Sequence, residues 1–108
     1  MTAILPAPVR HYFEGKNARD FDAAVAAFAS TAVVSDENAS HEGPAAIRAW
    51  VKETAAKYDD RSTVENTVRK GDDVEVQAEV SGTFPGSPTT LTFRFTLAGD
   101  RIGRLEIG

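Results

Sequence analysis

The sequence predicts a single α+β domain over residues 1–108, with a curved antiparallel sheet packed against three N-terminal helices. Up to Tyr58, apolar residues recur at the spacing of amphipathic helices, interrupted by one short strand-like run. From Arg61 onward, apolar and polar residues alternate with the period of a strand. A chain that forms helices first and successive strands afterwards places its helices on one face of the sheet.

The first two helices are predicted from their apolar spacing and their end signals. The first helix follows a lead-in formed by residues 1–7, with Pro6 and Pro8 at its start and Gly15 at its expected end. Asp20 is the expected N-cap of the second helix, because its carboxylate can accept a hydrogen bond from the first turn. The apolar stripes of the two helices contain Val9, Tyr12 and Phe13, and then Phe21, Ala24, Val25 and Phe28.

A β-branched run from about Ala32 to Asp36 predicts a short strand that ends on a carboxylate. A loop follows, and Gly43-Pro44 starts the third helix with proline at its first position. One face of that helix is apolar along its whole length, which indicates packing against the sheet. The residues of this face are Ile47, Trp50, Val51, Thr54, Ala55 and Tyr58.

The remaining chain is predicted to form four strands. Glycine, proline and aspartate cluster at residues 71–73, 82–88 and 98–100, where turns or loops are expected. Between these points, each strand offers one apolar face to the helices and one polar face to the outside. The predicted inward positions are Val64, Asn66, Val68, Val74, Val76, Ala78, Val80, Leu91, Phe93, Phe95, Leu97, Leu105 and Ile107.

Composition narrows the classes of function. Lys and Arg number 12 against 16 Asp and Glu, and the net charge of -4 argues against a nucleic-acid partner. The chain has no cysteine, which excludes thiolate chemistry and zinc–thiolate sites. No apolar run approaches the roughly 18 residues of a membrane span, and no secretion signal is visible, so a cytoplasmic protein is expected. Neither a metal-ligand spacing nor a phosphate-binding glycine loop is present, so no metal and no cofactor is predicted.

The order of these elements resembles the nuclear transport factor 2-like superfamily, in particular SnoaL-like polyketide cyclases and ketosteroid isomerases. The resemblance covers nearly the whole chain and implies a cone-shaped sheet that encloses a pocket. The superfamily includes isomerases, cyclases, dehydratases and epoxide hydrolases, so the resemblance is more specific for the fold than for the reaction. It is carried by Tyr12 in the first helix, the segment from Asn17 to Phe28, the run from Ala32 to Asp36, the helix opening from Gly43 to Trp50, and the Gly99 to Ile102 hairpin.

The resemblance also implies roles for individual residues. Asp36 matches the catalytic base of ketosteroid isomerases, and Tyr12 matches the residue that donates a hydrogen bond to the substrate oxyanion. Phe93 stands where those enzymes have a protonated aspartate, so half of their oxyanion hole is missing. The supporting tyrosines are also replaced, by Phe28 on the second helix and Val51 on the third. An orthodox steroid isomerase is therefore not implied.

Each candidate residue has a structural alternative. Asp36 is either a general base facing an apolar cavity or a solvated carboxylate that caps a turn. Tyr12 is either an oxyanion donor or a core tyrosine. His41 is either a proton shuttle or a surface residue of the loop before the third helix. Five aromatic residues either line a ligand cavity or fill the core: Phe28, Trp50, Tyr58, Phe93 and Phe95.

Two functions follow as expectations. The first is a cofactor-independent isomerase or cyclase that acts on a small apolar carbonyl compound, with Asp36 as the base and Tyr12 as the oxyanion donor. The second is a non-catalytic ligand-binding or dimeric interaction module of the same fold; epoxide hydrolysis is a weaker third reading. A homodimer is expected through the polar outer face of the sheet, formed by Glu75, Gln77, Glu79, Arg94, Arg104 and Glu106.

Overall fold

A computed structural model describes residues 4–108, so the first three residues of the predicted lead-in lie outside the described part. This range contains three helices and six strands in an α+β arrangement, which confirms the predicted class. The helices are α1 (Ala7–Asn17), α2 (Phe21–Ala26) and α3 (Gly43–Tyr58). The strands are β1 (Phe28–Asp36), β2 (Ala39–Glu42), β3 (Arg61–Lys70), β4 (Asp73–Ser81), β5 (Thr89–Ala98) and β6 (Arg101–Ile107).

All six strands belong to one sheet in the order β2-β1-β6-β5-β4-β3. Neighbours pair antiparallel except β1 and β6, which run parallel. The prediction of a wholly antiparallel sheet is therefore wrong at this pair. The cause is topological: β6 is the last strand of a meander and returns to the edge of β1, a pairing that hairpin signals in the sequence do not report.

The helix prediction is wrong at two ends. Gly15 lies inside α1 rather than after it, and α2 ends at Ala26, before Phe28. Phe28 instead begins β1, where it pairs with Ile102 and is buried. A residue that points into the core from the first position of a strand satisfies the same apolar spacing as one further turn of the helix, so periodicity alone could not separate the two.

The predicted loop after Asp36 contains a strand. Asp36 pairs with Ala39, and the two residues between them, Glu37 and Asn38, have φ angles of 51° and 63°. Two positive φ angles in succession define the hairpin turn that matches the twist of antiparallel strands. Asn38 suits this conformation, whereas Glu37 does not, which is why the sequence did not signal the hairpin.

A bulge in β3 changes which side chains face the core. Val64 pairs with Ala78, whereas Asn66 pairs with Gln77, so Glu65 is the extra residue. The alternation therefore reverses, and Thr67 is buried while Val68 is 47% exposed. The prediction that Val68 and Asn66 point inward is wrong for this reason.

Close contact between the first two helices depends on Gly15. A Cβ atom at this position would lie 2.7 Å from the backbone nitrogen of Ala24. The side chain of Asp20 caps α2 by accepting a hydrogen bond from the Ala23 N–H at 3.1 Å, which confirms the predicted N-cap.

Gly15→Ala is expected to lower the free energy of unfolding by about 1–3 kcal/mol, because the new methyl group forces two backbones apart. In an unconstrained helix the same change raises stability by about 1 kcal/mol, so the sign is diagnostic. Urea denaturation measures the effect. Glu14→Ala is the control, since Glu14 is exposed on the same helix and its change should stay within about 0.5 kcal/mol. A stabilised Gly15→Ala variant would contradict the packing described.

Within residues 4–108, no helix combines the length and the apolar character that crossing a membrane requires.

Candidate functional site

A cavity of about 370 Å³ lies between the helices and the concave face of the sheet. Most of its wall is apolar, and much of that wall comes from β4, β5 and the loop between them. The apolar residues that define it are Val80, Phe84, Leu91, Phe93, Ile107 and Trp50. Four charged side chains reach the same cavity: Lys16, Asp36 and Asp60 inside it, and Glu37, which is hydrogen-bonded to Tyr58.

Asp36 reaches the cavity because β1 alternates. Val34 is fully buried against the helices, so Asp36, two residues further, points to the same face at the end of the strand. The indole Nε1–H of Trp50 donates a hydrogen bond to Asp36 Oδ2 at 3.0 Å. Burial raises the pKa of Asp36 above its ordinary value, and the Trp50 hydrogen bond opposes that rise only in part. The site thus holds an oriented carboxylate of increased basicity.

Lys16 and Asp60 form a buried ion pair beside this carboxylate. Lys16 Nζ lies 2.8 Å from Asp60 Oδ2, and the two side chains are 5% and 7% exposed. Asn17, the next residue, fixes the geometry because its side-chain amide exchanges hydrogen bonds of 2.8 and 2.9 Å with the backbone of Ser62. This contact ties the end of α1 to the start of β3.

The sequence analysis missed the pair, although the sequence contains a signal for Lys16. Lys16 lies four residues after Tyr12, on the apolar stripe of α1. A lysine on a core-facing stripe requires a buried anion, since an unpaired buried charge is too costly to retain. No comparable local signal points to Asp60, which follows the end of α3.

Tyr12 lies next to the site but does not form the cavity wall. Its side chain is fully buried, and its hydroxyl lies beside Lys16 without forming a hydrogen bond of standard geometry within residues 4–108. The ring stacks on Trp50 with centroids 6.4 Å apart and meets Phe28 and Phe95 edge to face. Burial raises the pKa of Tyr12, and the nearby charge of Lys16 opposes the rise. Tyr12 is therefore a neutral phenol at physiological pH.

His41 and the remaining aromatic residues occupy distinct places. His41 lies on β2 and its ring stacks on Trp50, with centroids 5.9 Å apart, outside the residues that line the cavity. Trp50, Tyr58 and Phe93 do line the cavity, whereas Phe28 and Phe95 are buried in the core. Trp50 thus packs between Tyr12 and His41, which fixes the direction of its N–H toward Asp36.

A hydrogen bond joins two residues at the rim of the cavity. Tyr58 at the end of α3 donates its hydroxyl to Glu37 Oε1 at 2.6 Å, across the hairpin turn that follows Asp36. Phe84 from the loop between β4 and β5 packs edge to face on the Tyr58 ring. This contact holds the turn beside Asp36 and narrows the opening.

No group of three or more histidine or acidic side chains lies close enough to hold a metal ion in the part of the chain that the structure describes.

A second, wider depression of about 470 Å³ involves the outer side of the sheet around Glu75, Arg94 and Arg104. Its polar side chains are exposed and pair with one another, as in the Arg94–Glu75 contact at 3.6 Å. The inner cavity is the better candidate site, because it brings buried charges of both signs against an apolar wall.

Comparison with known proteins places the chain in a family. The SnoaL-like domain family matches residues 9–104, and the protein belongs to that family. A solved structure from Sinorhizobium meliloti, described as a proposed polyketide cyclase, is 42% identical with a TM-score of 0.94; the match covers 96% of this chain and 95% of that one. No curated protein sequence matches the chain.

More distant structures support the fold alone. A Catenulispora acidiphila protein with a ketosteroid isomerase-like fold, solved with trimethylamine, is 21% identical with a TM-score of 0.86, covering 97% of this chain and 86% of that one. A proposed ketosteroid isomerase from Kribbella flavida is 17% identical with a TM-score of 0.81, covering 94% and 74%. The predicted nuclear transport factor 2-like fold is confirmed by these matches.

Proposed function

We propose that the protein is a cofactor-independent enzyme that transfers a proton next to the carbonyl group of a small, mostly apolar compound. The observation that carries the proposal is the position of Asp36, whose carboxylate faces an apolar cavity and is oriented by the Trp50 N–H. Burial that raises the pKa of Asp36 makes the carboxylate a better base at the pH of the cell. The 42% identity to a proposed polyketide cyclase is consistent with this class of chemistry.

The reaction needs a base and no redox partner. The Asp36 carboxylate takes a proton from the carbon next to the carbonyl group. The C–H electron pair becomes a carbon–carbon double bond, and the carbonyl π pair moves onto oxygen to give an enolate. If the substrate carries a β,γ double bond, the enolate is a dienolate, and Asp36, now a neutral acid, returns the proton to its γ-carbon. Otherwise the enolate carbon attacks a second carbonyl within the same molecule, and Asp36 gives its proton to the alkoxide that forms. The first outcome is an isomerisation and the second a cyclisation.

Cavity size and lining define the substrate class. Protein pockets for small molecules fall between roughly 300 and 1,000 Å³, so a cavity of about 370 Å³ suits a compact molecule. Leu91, Phe93 and Ile107 would contact its apolar body, and Asp36 its acidic C–H group. A one- or two-ring ketone has this combination of an apolar body and an acidic α-hydrogen.

The test measures deuterium uptake from D₂O at the α-carbon of each ketone in a panel of one- and two-ring ketones. The wild-type protein is the catalyst, and proton NMR monitors the uptake. Catalysed uptake above the buffer rate for at least one panel member is expected. Binding of panel ketones without any catalysed uptake would overturn the enzymatic proposal and favour the ligand-binding module instead.

The proposal includes a homodimer through the outer face of the sheet. Side chains of both signs are exposed there, and Val68 adds an exposed apolar residue because of the bulge in β3. Alternating charges can pair with a second copy across a twofold axis. Analytical ultracentrifugation should give twice the mass of one chain, and a monomer at all concentrations would contradict this part. The face consists of Glu75, Gln77, Glu79, Arg94, Arg104 and Glu106.

A further inference from the structure

We propose that Lys16 is a second catalytic residue, whose ammonium group binds the substrate oxygen and stabilises the negative charge that develops there. The inference rests on the proposed function, since it assigns the partner of the base Asp36 in the same cavity. It also narrows the substrate class to compounds whose oxygen becomes anionic during the reaction, such as an enolate or a phenolate.

The position of Lys16 in the cavity supports this role. Lys16 is the one cationic side chain among the described residues that line the cavity. Tyr12, the candidate oxyanion donor, does not line it, and the Phe93 ring that does has no hydrogen-bond donor. An oxygen in this cavity that acquires negative charge therefore has Lys16 as its cationic partner.

Lys16 is kept charged. Burial lowers the pKa of Lys16, but the neighbouring Tyr12 and the Asp60 carboxylate in contact outweigh it and leave the pKa raised. An ammonium group carries three N–H donors; Asp60 Oδ2 at 2.8 Å accepts from one, and the Tyr12 hydroxyl also lies beside the ammonium. Donor capacity remains for a ligand oxygen.

The charge balance in the cavity also favours this role. Before the reaction, two carboxylates, Asp36 and Asp60, act on the one ammonium group, while the third, Glu37, is hydrogen-bonded to Tyr58. When Asp36 takes the substrate proton it becomes neutral, and the same negative charge appears on the substrate oxygen. The net charge beside Lys16 is therefore unchanged, and the ammonium stabilises the charge without moving a proton. The side chain of Lys16 is only 5% exposed, so its interaction with a negative charge is weakly screened.

The burial of the pair dictates the variants for the test. Lys16→Met alone leaves Asp60 buried without its partner and can unfold the chain. The double variant Lys16→Met, Asp60→Leu removes both charges and keeps the volume, and circular dichroism confirms that it folds. Lys52→Met is the matched control, because Lys52 is an exposed lysine on α3 outside the cavity.

The probe is 4-nitrophenol, whose phenolate absorbs in the visible and mimics an enolate oxygen. The measured quantity is the ratio of bound phenolate to bound phenol. We expect this ratio to be at least about tenfold higher in the wild type and in Lys52→Met than in the double variant, because a charge-assisted hydrogen bond has about this effect. Equal preference in wild type and the double variant, or no preference for phenolate in wild type, would overturn the assignment.

Asp36→Asn separates this inference from the proposed function. The variant lacks the base, yet it retains Lys16 and loses a competing negative charge, so its preference for bound phenolate should equal or exceed that of the wild type. If ketone exchange fails in the wild type while the phenolate preference depends on Lys16, the base assignment is wrong and the oxyanion site stands. If the wild type catalyses ketone exchange but its preference for phenolate does not depend on Lys16, the assignment of the base stands and the oxyanion site is wrong.

Discussion

Asp36→Asn is expected to lower the rate of α-carbon deuterium uptake by at least about 100-fold, since a positioned general base contributes roughly 10²–10⁴-fold. The amide is isosteric with the carboxylate and its oxygen can still accept the hydrogen bond from Trp50 Nε1. The fold should therefore be retained, and the loss is assigned to the missing base. Proton NMR of the exchanging ketone measures the rate.

The same substitution should stabilise the protein, which separates a catalytic carboxylate from a structural one. Burial raises the pKa of Asp36 in the folded state, so the unfolded chain loses that proton at lower pH. The free energy of unfolding of the wild type therefore falls as the pH rises from the pKa of Asp36 in the unfolded chain to its pKa in the folded protein. At higher pH this loss of stability remains. Asn resembles the protonated form and avoids it.

Asp100→Asn is the control for both readouts, because Asp100 is exposed in the turn between β5 and β6. It should leave both the rate of deuterium exchange and the pH dependence of the free energy of unfolding unchanged. An Asp36→Asn variant that keeps wild-type exchange would exclude Asp36 as the base. One that is destabilised above the same pH window would indicate that the carboxylate has a structural role instead.

Lys16→Met is expected to lower the free energy of unfolding by about 3–5 kcal/mol, because it leaves the Asp60 carboxylate buried without a cation. Asp60 is 5% exposed, and its Oδ1 has no hydrogen-bond partner in the described range, so nothing nearby replaces the ammonium. A domain of this size has roughly 5–15 kcal/mol of stability, so the variant should be marginal at 25 °C. Urea denaturation measures the difference.

Adding Asp60→Leu to this variant should recover most of the loss, since well-packed apolar residues can replace a buried ion pair at little cost. Arg104→Met provides the surface comparison. Arg104 pairs with Glu106 at 2.8 Å, but both are about half exposed, so the change should stay below about 1 kcal/mol. A Lys16→Met variant as stable as Arg104→Met would contradict the buried pair.

Local patterns predicted the elements whose signals are local. The faces of α1 and α3, the Asp20 cap and the position of Asp36 at a strand end all follow from spacing within a few residues. The strand ladders of β4 and β5 follow in the same way, because their inward residues keep strict alternation without a bulge. These are the parts of the fold that position Asp36.

The features that the sequence analysis predicted wrongly or missed depend on contacts between distant segments of the chain. The parallel pairing of β1 with β6 is set by chain topology, and the reversal at Glu65 is set by register with β4. Lys16 and Asp60 meet only after α1 docks on β3 through Asn17. Because the candidate site combines one locally signalled residue with a pair formed by tertiary packing, the sequence analysis singled out Asp36 and missed its cationic neighbour Lys16.

The central claim is that Asp36 is a carboxylate held in an apolar cavity, and carboxyl-carbon NMR of its titration tests this most directly. A pKa above the ordinary value of about 3.9 is expected, with a further rise in Trp50→Phe, which loses the N–H donor. A pKa at or below that value in the wild type would mean a solvated carboxylate, and it would contradict both the cavity environment and the role of Asp36 as general base.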